Sequence, residues 1–304
     1  MMDQRPEPSP ARALCAFDAH CGDSVRRVDP RTPDFVRCLT LFQYVHAVTG
    51  GPVARIEQAG DYAVPSLRGE AFAVRPGSIT LRVDGDGIAS AGVVRDEAGK
   101  TVSLLLHDTE GRIAHRGQLL SEGDRLLAGL TPVADPGPPG GPPPAAVSPP
   151  WEDGDQLAQL DAILVDGGLA RRRAFDRYRG EHRPVGPAVL PAVLDHLCSA
   201  GLPVGVAVFA RSAAVQAYAG RIQVTDRTMG GRLFAAIGES AVEIDLPRVR
   251  ACRLVRSRAA HGPTSAVELD DADGRCVAVL TQFGLVGQRV HEEWEHLAAS
   301  LPDA

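Results

Sequence analysis

The sequence is poor in aromatic residues and has no long apolar run. Only 5% of the 304 residues are Phe, Trp or Tyr, so the hydrophobic 44% consists mainly of Ala, Val and Leu. No stretch approaches the roughly 18 consecutive apolar residues that a membrane-spanning helix needs. Residues 1–10 are polar and proline-rich, without the apolar segment of a signal peptide. We therefore expect a cytoplasmic protein that does not associate with a membrane.

Paired cysteines and an excess of positive charge are also absent. The six cysteines are scattered without a CxxC pair. Their spacing fits no zinc framework, and a chain of this kind needs no disulfides, so we expect reduced thiols. The formal net charge is −6, which argues against nucleic acid as a partner because no overall basic surface exists to attract it.

Proline and glycine are concentrated in the middle of the chain. Residues 136–150 contain eight prolines and three glycines, a composition typical of an extended spacer. The alternative is a polyproline ligand for a partner domain. The sequence therefore predicts a first domain over 1–135, a linker over 136–150 and a second domain over 151–304.

The two predicted domains resemble each other. TVSLLLHDTEGRIA at 101–114 and TSAVELDDADGRCV at 264–277 align at a constant offset of 163 residues. Each consists of an apolar run, an Asp-x-x-Gly turn and a second apolar run, which is typical of a β-hairpin. Alternating strands at 78–82 and 241–245 keep the same offset. Because amphipathic helices are also expected after both hairpins, at 121–130 and 291–301, we interpret the chain as a tandem duplication.

The remaining periodicities predict an α+β fold. We expect a large antiparallel sheet in each half with flanking helices. Helices are predicted at 35–48, 151–165, 169–178 and 187–200. Strands are predicted within 52–74 and at 204–209, 222–224 and 233–237.

Several segments follow the pattern of one known family in the same order. In the first half they are VTGGPVARIEQAGDY at 48–62, ITLR at 79–82 and SLLLHDTEGRIAH at 103–115. In the second half the match runs from Trp151 through Arg171 and Phe175 to Trp294. In this order and spacing the chain resembles the HemS-like cytoplasmic hemin-transport and hemin-degrading factors. The resemblance covers most of residues 35–130 and 151–302.

This resemblance implies a ligand and a place for it. Members of the family are tandem α+β repeats that hold one haem in the cleft between their halves. They pass it to a haem oxygenase or degrade it. It implies a non-covalent, b-type haem here, because the CxxCH motif of covalent attachment is absent.

The histidine that binds iron in the family has no counterpart in this chain. Its position falls on Ala158, and no histidine occurs anywhere from Arg116 to Glu181. Two further family histidines fall on Tyr218 and Glu243. A family lysine falls on Ser257. The iron ligand, if haem is bound, must therefore differ from that of the family.

The resemblance nevertheless leaves a set of candidate cofactor-binding residues. Arg82 and Arg171 match family positions that line the cleft, and two guanidinium groups suit the two propionates of haem. A solvated arginine is the alternative for each. The full candidate set is Arg82, Arg171, Gln216, Tyr218, Arg256 and Arg258.

Two residues are candidate iron ligands. Tyr218 takes the place of a family histidine, and tyrosinate is a known ligand of ferric haem. His182 lies in a predicted loop after the basic helix at 169–178, close in sequence to the lost ligand. The alternatives are a structural phenol and a solvated histidine.

Three functions remain open from the sequence. The first is a cytoplasmic haem-binding protein with a non-family axial ligand and, as partner, a protein that donates or accepts haem. The second is a haem-dependent enzyme of a specialised pathway, with an open iron position for a small-molecule substrate and no catalytic residue that can be assigned. The third is a derivative of the fold that binds another planar ligand or a partner.

Overall fold

The computed structural model describes residues 26–28, 36, 39–95, 102–120, 155–175, 182–259, 262–283 and 286–304. The predicted helix at 121–130 and the linker at 136–150 lie outside these residues. Within the described ranges the chain forms sixteen strands and four α-helices.

Among the described elements, eight strands precede the first α-helix, and all four α-helices lie in the second half of the chain. The strands are β1 (Arg26–Val28), β2 (Val45–Gly50), β3 (Ala54–Tyr62), β4 (Ser66–Leu67), β5 (Ser78–Val83), β6 (Ile88–Arg95), β7 (Val102–Asp108), β8 (Ile113–Leu119), β9 (His182–Val185), β10 (Pro203–Ala210), β11 (Ala214–Arg227), β12 (Arg232–Ile237), β13 (Ser240–Asp245), β14 (Ala251–Ala259), β15 (Gly262–Asp270) and β16 (Cys276–Thr281). The helices are α1 (Gln156–Asp166), α2 (Leu169–Ala174), α3 (Leu190–Ala200) and α4 (Gln288–Ser300).

The strands form one large sheet that is mostly antiparallel. Its order is β1-β6-β7-β8-β2-β3-β13-β12-β11-β10-β16-β15-β14-β9, with β4 and β5 beside this path. Among the described strands, the parallel pairings are those of β5 with β3 and β4. A large antiparallel sheet with few helices confirms the predicted mixture of α and β structure.

The pairings follow the same scheme in both halves. In the first half β2 pairs with β3 and β8, β7 with β6 and β8, and β1 with β6. In the second half β10 pairs with β11 and β16, β15 with β14 and β16, and β9 with β14.

Two pairings cross between the halves. Strand β5 of the first half pairs with β11 of the second, where Leu81 lies opposite Gln216. Strand β13 of the second half pairs with β3 of the first, where Val242 lies opposite Ile56. Each half therefore completes the sheet of the other.

Helices cover both faces of the second half of the sheet. Strand β10 is buried on both sides, so its alternate residues face different helices. Val204, Val206 and Val208 share a core with α3 and α4. Ala207 and Phe209 share a separate core with α1. The two faces of this sheet therefore offer different surroundings to any site residue.

Helix α1 has a well-defined beginning and end. The carboxylate of Asp155 accepts the backbone N–H of Ala158 at 3.0 Å, which caps the first turn. Gly167 ends the helix in the left-handed conformation, with φ of 72°. The predicted helix at 151–165 is confirmed for its described part.

The predicted helix at 35–48 is wrong from residue 39 onward. The described residues there form a short 3₁₀ turn at Leu39–Leu41 and then strand β2. Strand β2 lies between β3 and β8 and is almost entirely buried. In this central position the β-branched residues Val45, Val48 and Thr49 pack well, and tertiary context outweighs the helical spacing of the apolar residues.

Candidate functional site

Helix α1 closes over the sheet at the position where the family resemblance places the ligand. Leu160, Ile163 and Leu164 pack against apolar side chains of β10 and β11. The cleft that remains has a volume of about 20 Å³ and is lined by residues that include Gln159, Ser257, Glu268, Thr281 and Phe283. Small-molecule sites commonly offer about 300–1,000 Å³. As described, this cleft has no room for haem.

Arg82 is fixed beneath α1 by a buried ion pair. Its Nε and one terminal nitrogen donate to the two carboxylate oxygens of Asp161 on α1, at 2.6 and 2.8 Å. The guanidinium also donates to the Ser66 hydroxyl at 2.9 Å and to the Glu70 carbonyl at 3.0 Å. Arg82 is 0% exposed, so its charge is matched inside the protein.

Arg171 forms a second buried pair on α2. Its terminal nitrogens donate to the carboxylate of Glu268 on β15 at 2.7 and 3.2 Å. The guanidinium also lies 5.4 Å from the centre of the Phe175 ring. The two candidate propionate-binding arginines therefore both hold helices on the sheet through protein carboxylates. Their role in binding propionates stays a prediction.

Gln216 belongs to a buried polar network that joins the halves. Thr49 Oγ1 donates to Gln216 Oε1 at 2.7 Å and must therefore accept from His115 Nδ1, which lies 2.7 Å away. His115 Nε2 is then an acceptor for the Tyr62 hydroxyl at 2.6 Å. These contacts could not be predicted from the sequence, because the four residues come from four different strands.

Burial keeps this network uncharged. Desolvation lowers the pKa of His115 to about 3 and raises the pKa of Tyr62 far above its ordinary value. The Nε2 lone pair and the phenol proton are therefore both engaged in one neutral hydrogen bond, and His115 has a structural role.

Tyr218 lies on the other face of β11 from α1. Its neighbour Ala217 packs toward α1, whereas Tyr218 belongs to the core beneath α3 and α4. Its hydroxyl is so close to Gly238 that any side chain there would clash with it. The structure does not bring Tyr218 into the cleft beneath α1.

His182 lies on the same side of the sheet as α1 and α2. The expected loop is wrong at this residue, because His182 begins β9 and pairs with Val255 of β14. Its ring stacks on Phe175, with 4.9 Å between the centroids. Phe175 and Val255 share a small core with Ala162 of α1. Val255 also lines the cleft beneath α1, whereas His182 does not.

Arg256 and Arg258 do not line the cleft beneath α1. The backbone of Arg258 nevertheless forms a β-bridge with Asp155 at the start of α1. Arg256 approaches the carboxylate of Glu295 on α4 at 3.4 Å, on the opposite face of the sheet. Arg258 is exposed. Ser257, between them, lines the cleft. Of the predicted residues, the structure thus places the side chains of Arg82, Arg171 and His182 beside α1 and α2.

Two other kinds of feature are absent from the described ranges. No group of three or more His, Cys, Asp or Glu side chains is placed there to hold a metal ion. No helix among the same residues is long and apolar enough to cross a membrane.

The first part of the chain is similar to a known domain family. Residues 11–120 match the family model HemS, the haemin-degrading HemS.ChuX domain. The resemblance that the sequence predicted is therefore confirmed. No curated protein sequence matches the chain.

Solved structures share this fold over most of the chain. Holo-PhuS, a heme-binding protein from Pseudomonas aeruginosa, is 19% identical with a TM-score of 0.70, covering 93% of this chain and 88% of its own. ChuS, an E. coli heme oxygenase, is 19% identical with a TM-score of 0.71, covering 91% of this chain and 88% of its own.

Proposed function

We propose that the protein binds non-covalent haem through a ligand other than the family histidine. The observation that carries this proposal is the match of residues 11–120 to a haemin-degrading domain. The fold shared with holo-PhuS and ChuS, a heme-binding protein and a heme oxygenase, supports it. A cytoplasmic location, and a partner that donates or accepts haem, belong to the same proposal.

We further propose that the chain is two copies of one unit, at 1–135 and 151–304, with the ligand cleft between them. Their hairpins support this. Asp108 Oδ1 accepts the N–H groups of Glu110 and Arg112, each at 2.9 Å. Asp271 Oδ1 accepts the equivalent N–H groups, of Asp273 and Arg275, also each at 2.9 Å.

Haem binding requires α1 and α2 to move. In the described arrangement, Arg82 and Arg171, which would bind the propionates, are already paired with the carboxylates of Asp161 and Glu268. We propose that propionates take the place of these carboxylates when the helices withdraw. Haem would supply an iron with at least one position for a protein ligand. His182 is the better candidate for that position, since Tyr218 lies on the far face of β11.

Titration with hemin tests the proposal. We expect a saturable shift of the Soret band at one haem per chain. His182→Ala should change the Soret position or weaken binding, and Tyr218→Phe should not. His196→Ala is the matched control, because His196 is an exposed histidine on α3. Absence of any saturable Soret shift in the wild type would contradict the proposal that the protein binds haem.

A second function is favoured by the closed cleft itself. Two buried ion pairs and about 20 Å³ of space suit a derivative of the fold that no longer takes haem and binds another planar ligand or a partner. The hemin titration separates this function from the first. If haem does bind, access of cyanide to the iron would distinguish an enzyme with an open position from a carrier.

A further inference from the structure

A larger cavity lies where four turns of the sheet meet. Its volume is about 320 Å³, which is in the range of small-molecule sites. The turns are those between β2 and β3, β7 and β8, β10 and β11, and β15 and β16. The cavity shares no lining residue with the cleft beneath α1. It is therefore a separate site, independent of the proposed haem binding.

The cavity combines apolar walls with more arginines than acidic side chains. Pro52, Val53, Ile113, Phe209 and Val277 form much of the apolar surface. Four arginines and two aspartates also line the cavity: Arg55, Arg112, Arg211, Arg275, Asp108 and Asp271.

The two hairpin arginines, Arg112 and Arg275, differ in whether a carboxylate pairs with the guanidinium. Arg112 Nε and one terminal nitrogen donate to Asp108 Oδ2 at 3.0 and 2.9 Å, so its charge is matched. Arg275 occupies the equivalent position in the other hairpin but does not bind Asp271 in this way. Its Nε is buried without a hydrogen-bond partner. Among the described residues, no ion pair of the Arg275 side chain is seen. Arg275 therefore brings an unmatched cation to the cavity.

Arg211 places a second cation at the cavity, in a strained backbone conformation. It has a φ of 51°, a left-handed conformation that a residue with a Cβ rarely adopts. Glycine would be the natural residue in such a turn. The ion pair of Arg211 is with Glu110, an exposed carboxylate 3.5 Å away. Strained residues of this kind are concentrated at functional sites.

We propose that this cavity binds a small organic oxyanion: a carboxylate or a phosphate attached to an apolar body. Arg275 and Arg211 donate charge-assisted hydrogen bonds to the anionic group. The apolar walls, Phe209 among them, contact the body of the ligand. Arg55 is already bound to Glu243 at 2.9 Å and contributes chiefly to the electrostatic field.

Calorimetric titration of the full chain tests this site with four matched probes. Benzoate and phenyl phosphate carry the two kinds of oxyanion, benzyl alcohol is neutral and benzylamine is cationic. We expect saturable binding of at least one anion and of neither other probe. The anion that binds more tightly shows whether the cavity prefers a carboxylate or a phosphate.

Two variants and one control assign the binding to the arginines. Arg275→Gln should weaken anion binding about tenfold or more, as expected for a lost charge-assisted bond. Arg211→Gly should do the same while keeping or raising the melting temperature, since it relieves the backbone. Arg289→Gln, at an exposed arginine of α4 that does not line the cavity, should alter affinity less than about threefold.

Three results would overturn the proposal. They are no saturable anion binding, equal binding of benzylamine or benzyl alcohol, or unchanged anion binding in both Arg275→Gln and Arg211→Gly. A hemin titration of Arg275→Gln should match that of the wild type, so that failure of either site can be distinguished from failure of the other.

Discussion

His115 shows how burial sets the charge of a single residue. Its ring lies in a network of neutral partners, without a carboxylate to stabilise the imidazolium. Desolvation therefore lowers its pKa to about 3. In the unfolded chain the histidine has an ordinary pKa near 6.5. Between about pH 6.5 and pH 3, the histidine therefore binds a proton in the unfolded chain but not in the native protein.

This difference predicts a pH-dependent loss of stability. Because the unfolded state binds more protons below about pH 6.5, stability falls with falling pH until about pH 3. For His115 alone we expect a loss of about 2 kcal/mol between about pH 7.5 and pH 5. Urea unfolding of the wild type and of His115→Gln at both pH values measures this loss. The contributions of other titrating groups are the same in both proteins and cancel when the two are compared. Equal pH dependence in the two proteins would contradict the assignment.

At the scale of residues, the sequence identifies important positions better than it identifies partners. Arg82 and Arg171 stand out from the resemblance, and both are fully buried. Their carboxylate partners could not be predicted, because Asp161 and Glu268 are 79 and 97 residues away and meet the arginines only through tertiary packing.

Helix α1 is attached to the sheet by one such pair. Asp161→Asn leaves the Arg82 guanidinium buried with a weaker partner, and should cost about 3 kcal/mol. The double change Arg82→Met and Asp161→Leu should cost less than the sum of its parts, because it leaves no buried charge. Urea unfolding measures both effects.

An exposed ion pair provides the control for α1. Arg289 and Glu293 on α4 are 2.8 Å apart, and Arg289 is 88% exposed. Arg289→Ala should cost less than about 1 kcal/mol. A cost for Asp161→Asn as small as this would mean that the buried pair does not hold α1.

The two hairpin turns allow a comparison within one molecule. Asp271→Ala removes the acceptor of two backbone N–H groups and should cost about 1–2 kcal/mol. Asp108→Ala should cost more, because Arg112 also loses two hydrogen bonds to this carboxylate. Asp273→Ala, at an exposed turn position, should stay within about 0.5 kcal/mol of the wild type. Thermal or urea unfolding gives the order, and a larger loss for Asp271→Ala would contradict it.

Elements defined by local signals were predictable, and elements defined by their surroundings were not. Both hairpins follow from an Asp-x-x-Gly turn between apolar runs, and α1 follows from its spacing and from Gly167. Strand β2 was missed, since its burial between β3 and β8 depends on residues far along the chain.

At the scale of the whole molecule, the crossed pairings β5–β11 and β3–β13 make the halves interdependent. We expect one cooperative unfolding transition for the full chain. The unfolding transition measured by far-UV circular dichroism, which reports on both halves, should coincide with the transition measured by tryptophan fluorescence, to which the buried Trp294 of the second half contributes.

Residues 151–304 expressed alone should aggregate or lack dispersed NMR signals, because β11 and β13 lose partners and expose edges. A folded, monomeric fragment would contradict this.

The sequence predicted two similar halves but not their exchange of strands. The alternating pattern of β5 identifies it as a strand without stating which neighbour it takes. That choice depends on non-local pairing, for which a single sequence carries little signal.

The same crossing has a consequence for synthesis. Thr49 and its hydrogen-bond partner Gln216 are 167 residues apart, so the first half leaves the ribosome long before β11 exists. At about 5–20 residues per second, β3 and β5 wait on the order of 10 s without their final neighbours. During this time the nascent chain presents open strand edges, and we expect it to depend on chaperones or on rapid translation to avoid misassembly.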